Sequence, residues 1–488
     1  MRATDLIAIL PLLVLAATAV VLLLGIAIHR SHALSFSIAT GGLLLACISL
    51  APASHHLPHP VTPLFTVDGY ALFYEGLILL SSLTICLLSR AYLDARKLQR
   101  CDEYYLLLLT ATLGAAALVA STHYASFFLS LETLSLSLIA LISYVRGHDR
   151  PLEAGIKYLI LSGVSSAFLL FGIAILYAGL GTLSFSSITH ASLAGTALSA
   201  PPLLGGIALV LVGIGFKLSL VPFHMWAPDI YEGASAPVTA FVAVVSKSAV
   251  FALLLRLFTA TGAFHAGPLT IVLGAVAVLS MLAGNLLALL QRNVKRILAY
   301  SSIAHLGYAL VALLVGGPFA IEAVSVYLVA YAIMTLGAFA VMTLLPPSDS
   351  LRDADLIDDY RGLFRSRPGL SLAFAASLLS LAGIPLTVGF IAKFYAVASG
   401  VDGSHSVLLG TLVAGSIIGL YYYLRVIVAM TAAPLIMQDD QAARAGGVHQ
   451  GVLGNAVVAA LVLLLIGLGA YPTPLLALIR ASASMTLR

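Results

Sequence analysis

Apolar runs of about twenty residues alternate with short polar stretches along nearly the whole chain. An α-helix of that length spans the ~30 Å hydrocarbon core of a bilayer. Windows of this size predict about fourteen helices, at roughly 5–28, 34–51, 67–89, 103–120, 123–145, 152–179, 202–226, 237–260, 268–290, 294–316, 321–345, 369–398, 405–430 and 452–478. The connections are short, so no soluble domain is expected. The first run, Leu6 to Ile28, is too long for a signal-peptide core and lacks a small-residue cleavage site, so it reads as a retained span. The fold class expected is an all-α polytopic membrane protein.

Composition agrees. The 488 residues are 61% hydrophobic and only 9% charged, against about 25% charged in a soluble domain. The net charge of +4 comes with no basic tract interleaved with aromatics, so nucleic acid is not an expected partner. Cys47, Cys86 and Cys101 are scattered, without a CxxC or a Cys/His cluster. No GxGxxG follows a strand and no Walker loop is present. No metal site or cofactor is therefore expected in this chain. Arginines and lysines crowd alternate connections: Arg30; Arg90, Arg96, Lys97 and Arg100; Arg146 and Arg150; Arg292, Lys295 and Arg296; Arg352, Arg361, Arg365 and Arg367; Arg444. The other side carries only Arg2, Arg480 and Arg488. The basic side is expected to be cytoplasmic, with both termini outside. The connection 227–236 departs from the pattern, holding Asp229 and Glu232 without a base, and is expected to pack against protein.

Two spans carry a proline beside a lysine: Pro222 in GFKLSLVPFHMW and Pro385 in LAGIPLTVGFIAKF. Proline removes a backbone donor and clashes with the carbonyl four residues earlier, which would free Leu218 and Leu381. Free carbonyls at that depth persist only beside protein or water. Each break falls in the fourth helix of a five-helix unit, one starting near Asp102 and the other near Pro268. An odd number of spans makes the second unit enter from the opposite face, so two inverted repeats are expected. The domains read 1–101 (three N-terminal helices), 102–262 and 263–432 (the repeats) and 433–488 (the last helix).

Charge inside the apolar runs is the chemical signal. Of six lysines, Lys157, Lys217, Lys247 and Lys393 fall within predicted spans, and so does Glu132. A charge at mid-bilayer costs roughly 2.5–3.5 kcal/mol on insertion scales, so intramembrane charge points to function. Desolvation favours the neutral amine, whereas a nearby carboxylate keeps the proton on. A glutamate–lysine pair that can separate is thus a proton gate. Glu132 and Lys217 are the expected pair, and Lys157, Lys247 and Lys393 continue a row across the membrane plane. His224 and His305 are possible relays. Ser219, Ser246, Ser248, Thr335 and Thr387 are candidates for holding water near the row. Glu75 in the third span is ambiguous between a contact with a neighbouring subunit and a proton carrier. Tyr421, Tyr422, Tyr423 and Trp226 are expected as anchors or packing groups.

The stretch GFKLSLVPFHMWAPDIYEGASAPVTAFVAVVSKSAVFALLLR resembles the signature of the antiporter-like membrane subunits of respiratory complex I, and its PFHMWAPDIYEGA form is most similar to the subunit N type, the counterpart of mitochondrial subunit 2. GNLLALLQRNVKRILAYSSIAHLGY and GIPLTVGFIAKFY resemble later signatures of that type, over about residues 100–430. The resemblance implies a proton-translocating subunit driven by redox chemistry in partner subunits, with Glu132, Lys157, Lys217, Lys247 and Lys393 as proton-transfer residues. It implies other complex I membrane subunits as partners and a bacterial inner-membrane location. Lysine at 393 departs from the subunit M pattern, and the absence of a long lateral helix departs from subunit L. Ser235, Ala236 and Leu386 depart from common family letters in loop and break geometry. The alternatives are a subunit of a multisubunit Na⁺/H⁺ antiporter and an inert spacer.

Overall fold

The structure is a computed structural model, and it describes residues 3–55, 57–96, 100–145, 149–186, 201–261, 267–345, 353–402, 406–433 and 452–484. Arg2, Lys97, Arg146, Arg352, Arg444 and Arg488 of the basic pattern lie outside these residues.

Helices α1 (Leu10–Ile28), α2 (His32–Ser54) and α3 (Gly69–Ala95) open the bundle. Next come α4 (Asp102–Ala120), α5 (Tyr124–Ile142), α6 (Asp149–Leu180) and α7 (Pro201–Lys217). A short helix α8 (Trp226–Gly233) leads into α9, which is α-helical over Ala236–Phe241, π-helical over Val242–Ser246 and α-helical again over Lys247–Thr261. Then follow α10 (Gly267–Leu289), α11 (Val294–Leu314), α12 (Gly317–Leu344), α13 (Pro368–Ala382), α14 (Val388–Asp402) and α15 (Ser406–Thr431). Helices α16 (Val452–Ala470) and α17 (Thr473–Ser484) close the chain. Among the described residues, twelve helices are long and apolar enough to cross a membrane. The other two predicted spans are the interrupted ones, α7 with its break and α13 with α14. One element had no sequence signal strong enough to read: strands β1 (His59–Thr62) and β2 (Phe65–Val67) form an antiparallel hairpin between α2 and α3.

Helices α9, α11 and α12 are wholly enclosed, and α1 and α16 show apolar side chains around much of their girth. Such an outward apolar face belongs in lipid. Helix ends are capped where the chain turns. Asp68 Oδ1 accepts from the Ala71 N–H (2.8 Å) and Asn293 Oδ1 from the Arg296 N–H (3.1 Å).

The two halves pack alike at their first helix pair. A Cβ on Gly114 would meet Leu134 N at 2.6 Å and Ser130 O at 2.9 Å, and one on Gly284 would meet Ala304 N and Tyr300 O, both at 2.7 Å. Glycine lets α4 touch the backbone of α5, and α10 that of α11. The step along the chain from Gly114 to Gly284 also carries Ser130 to Tyr300, Leu134 to Ala304, Glu132 to Ser302 and Ser135 to His305.

Both breaks share one geometry, and proline is not its immediate cause. Ser219 has φ 58° and Gly383 has φ 89°, both left-handed. Ser219 N–H donates to Phe216 O and Leu220 N–H to Gly215 O, while Gly383 N–H donates to Ser380 O and Ile384 N–H to Leu379 O. These are paired Schellman closures, and Pro222 and Pro385 follow just after, where they bar the helix from resuming. The sequence expectation named the prolines as the breakers; the left-handed residues end the helices first.

Candidate functional site

Lys217 is the last residue of α7 and is buried. Its Nζ donates to Ser135 Oγ on α5 and to Ser162 Oγ on α6, both at 2.6 Å. Glu132 lies three residues before Ser135, and its Oε1 accepts from Ser166 Oγ at 2.5 Å. Ser162 and Ser166 stand one helical turn apart on α6, so roughly 6 Å of rise separates the two serine contacts. The expected Glu132–Lys217 contact is therefore not a direct ion pair: among the described residues no such bridge occurs, and serines stand between. The broken end of α7 is tied off by Trp226, whose Nε1 donates to Phe216 O (2.9 Å) while its indole stacks on Phe216. Trp226 is thus part of the break and not an interface anchor.

Lys247 follows the π turn of α9, a local widening often found at functional sites. Its Nζ donates to Ser302 Oγ on α11 (2.7 Å) and lies 5.3 Å from the Tyr231 ring. Ser302 also accepts from Tyr331 on α12 (2.7 Å). Next along α11, His305 is buried, with Nδ1 2.7 Å from Tyr327 Oη and Nε2 3.4 Å from Tyr423 Oη. Tyr423 in turn bonds Ser301. Tyr422 donates to Asn285 Oδ1 (3.2 Å), and Asn285 Nδ2 donates to Tyr308 (2.8 Å). Of the three tyrosines expected as anchors or packing groups, Tyr422 and Tyr423 are buried packing groups and Tyr421 faces outward.

Lys393 sits on α14 beyond the second break and reaches back to it. Its Nζ donates to Ala382 O (2.8 Å), the last carbonyl of α13, and lies 5.3 Å from the Tyr308 ring. Each interrupted helix thus holds a lysine amine at its break.

Lys157 does not join this interior row. Its side chain is 43% exposed, and its Nζ pairs with Glu153 (2.7 Å) and Asp229 (3.0 Å). These two carboxylates draw the amine to the end of α6, and Glu153 sits in the i−4 position that favours such a pair. Arg296 joins Asp229 (2.8 Å) and Glu232 (3.0 Å) there. Burial pushes the Asp229 carboxyl up, but Lys157 and Arg296 outweigh it and hold it below the usual carboxylate range. The acidic connection 227–236 packs against protein, as its lack of bases implied. His224 is buried within the first break, but neither ring nitrogen meets a hydrogen-bond partner among the described residues. The break takes it off the helical register that would align it with Lys217.

At the same end, Asp353 joins three parts of the bundle. It binds Arg96 of α3, Lys295 of α11 (2.5 Å) and the Ala236 N–H of α9 (3.0 Å). Burial pushes its carboxyl up, yet Lys295 and Arg96 hold it below its ordinary value.

The residues the sequence did not single out are Ser135, Ser162, Ser166, Ser302 and Tyr331. A serine in a span usually bonds its own helix, as Ser135 does with Leu131 O (2.7 Å). Its second role as acceptor for Lys217 leaves no local trace. Glu75, left open between an intersubunit contact and a proton carrier, is 1% exposed and lies inside the chain.

The class these features define is a polytopic helical protein with lysines bonded to hydroxyls in its interior and a half-buried glutamate beside the first of them. The pattern of the family described as NADH:quinone oxidoreductase/Mrp antiporter, TM, matches residues 121–419. A protein of Methylococcus capsulatus named NADH-quinone oxidoreductase subunit N is 48% identical over 475 residues, covering 96% of this chain and 93% of the relative. A chain of respiratory complex I from Thermus thermophilus superposes with a TM-score of 0.79 at 33% identity, covering 96% of this chain and 98% of that one. A chain of the Mrp complex from Dietzia sp. DQ12-45-1b superposes with a TM-score of 0.84 at 21% identity, covering 99% and 97%, a likeness of fold. The chain belongs to this family, on its NADH-quinone oxidoreductase subunit N side.

Proposed function

We infer that the chain is a multi-pass, proton-translocating subunit of a bacterial inner-membrane NADH-quinone oxidoreductase, assembled with the other membrane subunits of that complex. We propose that Glu132, Lys217, Lys247, His305 and Lys393 form its relay. The observation that carries this reading is the series of lysine-to-hydroxyl contacts, Lys217 to Ser135 and Ser162 and Lys247 to Ser302, placed inside a bundle with a lipid-facing exterior. In the state described, serines hold Glu132 and Lys217 apart. Closing the gap would keep the proton on the lysine, and opening it would release the proton towards Lys247. Moving one charge against the membrane potential costs about 2.3 kcal/mol per 100 mV, which redox chemistry in partner subunits must supply. This chain supplies the path and no redox centre or cofactor. The basic ends face the cytoplasm and the termini lie outside, and residues 102–262 and 263–432 are inverted repeats whose packing glycines are Gly114 and Gly284. Lys157 acts at the mouth, where its carboxylate partners reach water.

The test is Lys247→Ala in the purified, reconstituted complex. The expected result is NADH oxidation with a lowered proton-to-electron ratio; an unchanged ratio would return the lysines to the role of inert spacers. The Na⁺/H⁺ antiporter reading would gain from sodium-dependent transport by an assembly free of redox subunits.

A further inference from the structure

Helix α3 lies outside both five-helix units, yet it carries a carboxylic acid that the relay leaves unused. Glu75 is fully enclosed, and its Oε2 has no hydrogen-bond partner among the described residues. The charged groups within electrostatic reach are Asp68 and Arg256. They are already committed to each other through two hydrogen bonds, at 2.7 and 3.2 Å, with the Arg256 guanidinium lying over the Tyr70 ring. Glu75 is thus not half of a structural ion pair. A buried polar atom left without a partner costs about 1–3 kcal/mol, more when charged. Packing alone gives no reason for a glutamate there.

Three more enclosed hydroxyls lie along the same stretch: Ser82 on α3 and Ser248 on α9, which have no hydrogen-bond partner among the described residues, and Thr335 on α12, which faces Tyr331. Their levels follow from contacts that pin the helices together. Helix α9 runs antiparallel to α3, tied at one end by Asp68–Arg256 and at the other through Asp353, which binds both Arg96 and the Ala236 N–H. Counting inward from the Asp68–Arg256 tie places Ser248 level with Glu75, and counting from the Asp353 tie places it just past Ser82 as seen from Glu75. Helix α12 runs parallel to α3, tied by Tyr74–Ser325 (2.9 Å), so Thr335 stands near the level of Ser82. Thr335 is also one turn from Tyr331, which donates to the same Ser302 that receives Lys247. Ser248 is the residue next to Lys247. Enclosed hydroxyls therefore lie between the Lys247 contact and Glu75, and Asp68 lies two turns further on, at the end of the bundle opposite Asp353.

We propose that Glu75 is a second proton-carrying carboxyl of this chain, linking Lys247 through Ser248, Thr335 and Ser82 to the end of the bundle marked by Asp68. A proton leaving the Lys247 ammonium is taken up by the Glu75 carboxylate and then returned to water at that end, which restores the carboxylate. This inference rests on the relay proposed above, to which it adds a branch out of the membrane plane.

The experiment is Glu75→Gln in the whole complex, reconstituted in liposomes beside Lys247→Ala. Proton transfer per NADH and uncoupled NADH oxidation are both read. The expected result is retained uncoupled oxidation, a lowered proton-to-electron ratio and recovery in Glu75→Asp. A wild-type ratio in Glu75→Gln overturns the proposal. If only Lys247→Ala lowers the ratio, the branch fails and the relay stands; if neither does, both fail. Should Glu75→Gln prevent assembly, the double variant Ser82→Val, Ser248→Val dries the branch while keeping the acid. It is expected to lower the ratio, and a wild-type ratio there overturns the proposal equally.

Discussion

Alanine at Gly383 perturbs the second break at a single atom. Gly383 has φ 89°, and a Cβ there would lie 2.7 Å from Lys393 Cδ and 3.3 Å from its Nζ. Two costs follow. A left-handed residue bearing a Cβ costs roughly 1–2 kcal/mol. The added methyl also pushes the lysine stem away from the 2.8 Å bond to Ala382 O, a loss of about 1–3 kcal/mol. The local penalty totals roughly 2–5 kcal/mol. The second part alone shifts the balance between docked and released amine by about 5- to 150-fold. The purified complex carrying Gly383→Ala is expected to melt earlier and to pump fewer protons per electron, with NADH oxidation retained when uncoupled. Ser219→Gly is the control in the first break: it relieves a left-handed serine whose hydroxyl has no partner among the described residues. The gain of roughly 1–2 kcal/mol is partly offset by about 0.4–1 kcal/mol from a more flexible unfolded chain. If Gly383→Ala matches the wild type in both melting and pumping, the docked position of Lys393 has no role.

Two further predictions concern the scaffold. Asp353→Ala leaves Arg96 and Lys295 buried without their carboxylate and is expected to cost about 3–5 kcal/mol, seen as an earlier melting transition of the complex. In the wild type, the folded-state value of Asp353 is lowered, so its stabilisation is complete above the unfolded value near 3.9 and is lost as pH falls through the lower folded value. Melting curves taken between neutral pH and about pH 5 should accordingly show no loss traceable to this group, and a loss in that window would refute the assignment. Trp226→Phe removes one of the two donors to the Phe216 carbonyl at the first break, leaving the Ser219 N–H, and should cost about 0.5–1.5 kcal/mol, measured as faster proteolysis or earlier melting.

The spans were legible because a twenty-residue apolar run has few other uses, and the lysines Lys217, Lys247 and Lys393 because a charge inside such a run stands out. Both breaks were located through Pro222 and Pro385, but the left-handed Ser219 that closes the first helix carries no sequence mark. Lys157 looked like its three counterparts from hydropathy alone. Glu153, four residues earlier, was the readable sign that it would turn to the surface. The serines that contact Lys217 and Lys247 were not legible, since their partners come from other helices and nothing in the local sequence distinguishes them from helix-bonding serines. Tyr422 and Tyr423 followed an exposed Tyr421, and the sequence alone does not tell a lipid-facing tyrosine from a packed one in the same run. Their burial depends on how α15 packs against α10 and α11, which is information from the whole bundle.

The most direct test is a map of ordered water in the assembled, lipid-embedded complex at a resolution that shows single waters. The account predicts water or hydroxyl bridges across each gap from Glu132 through Lys217, Lys247 and His305 to Lys393. A dry, apolar gap wider than one water between any two of these, in every state of the turnover cycle, would contradict it.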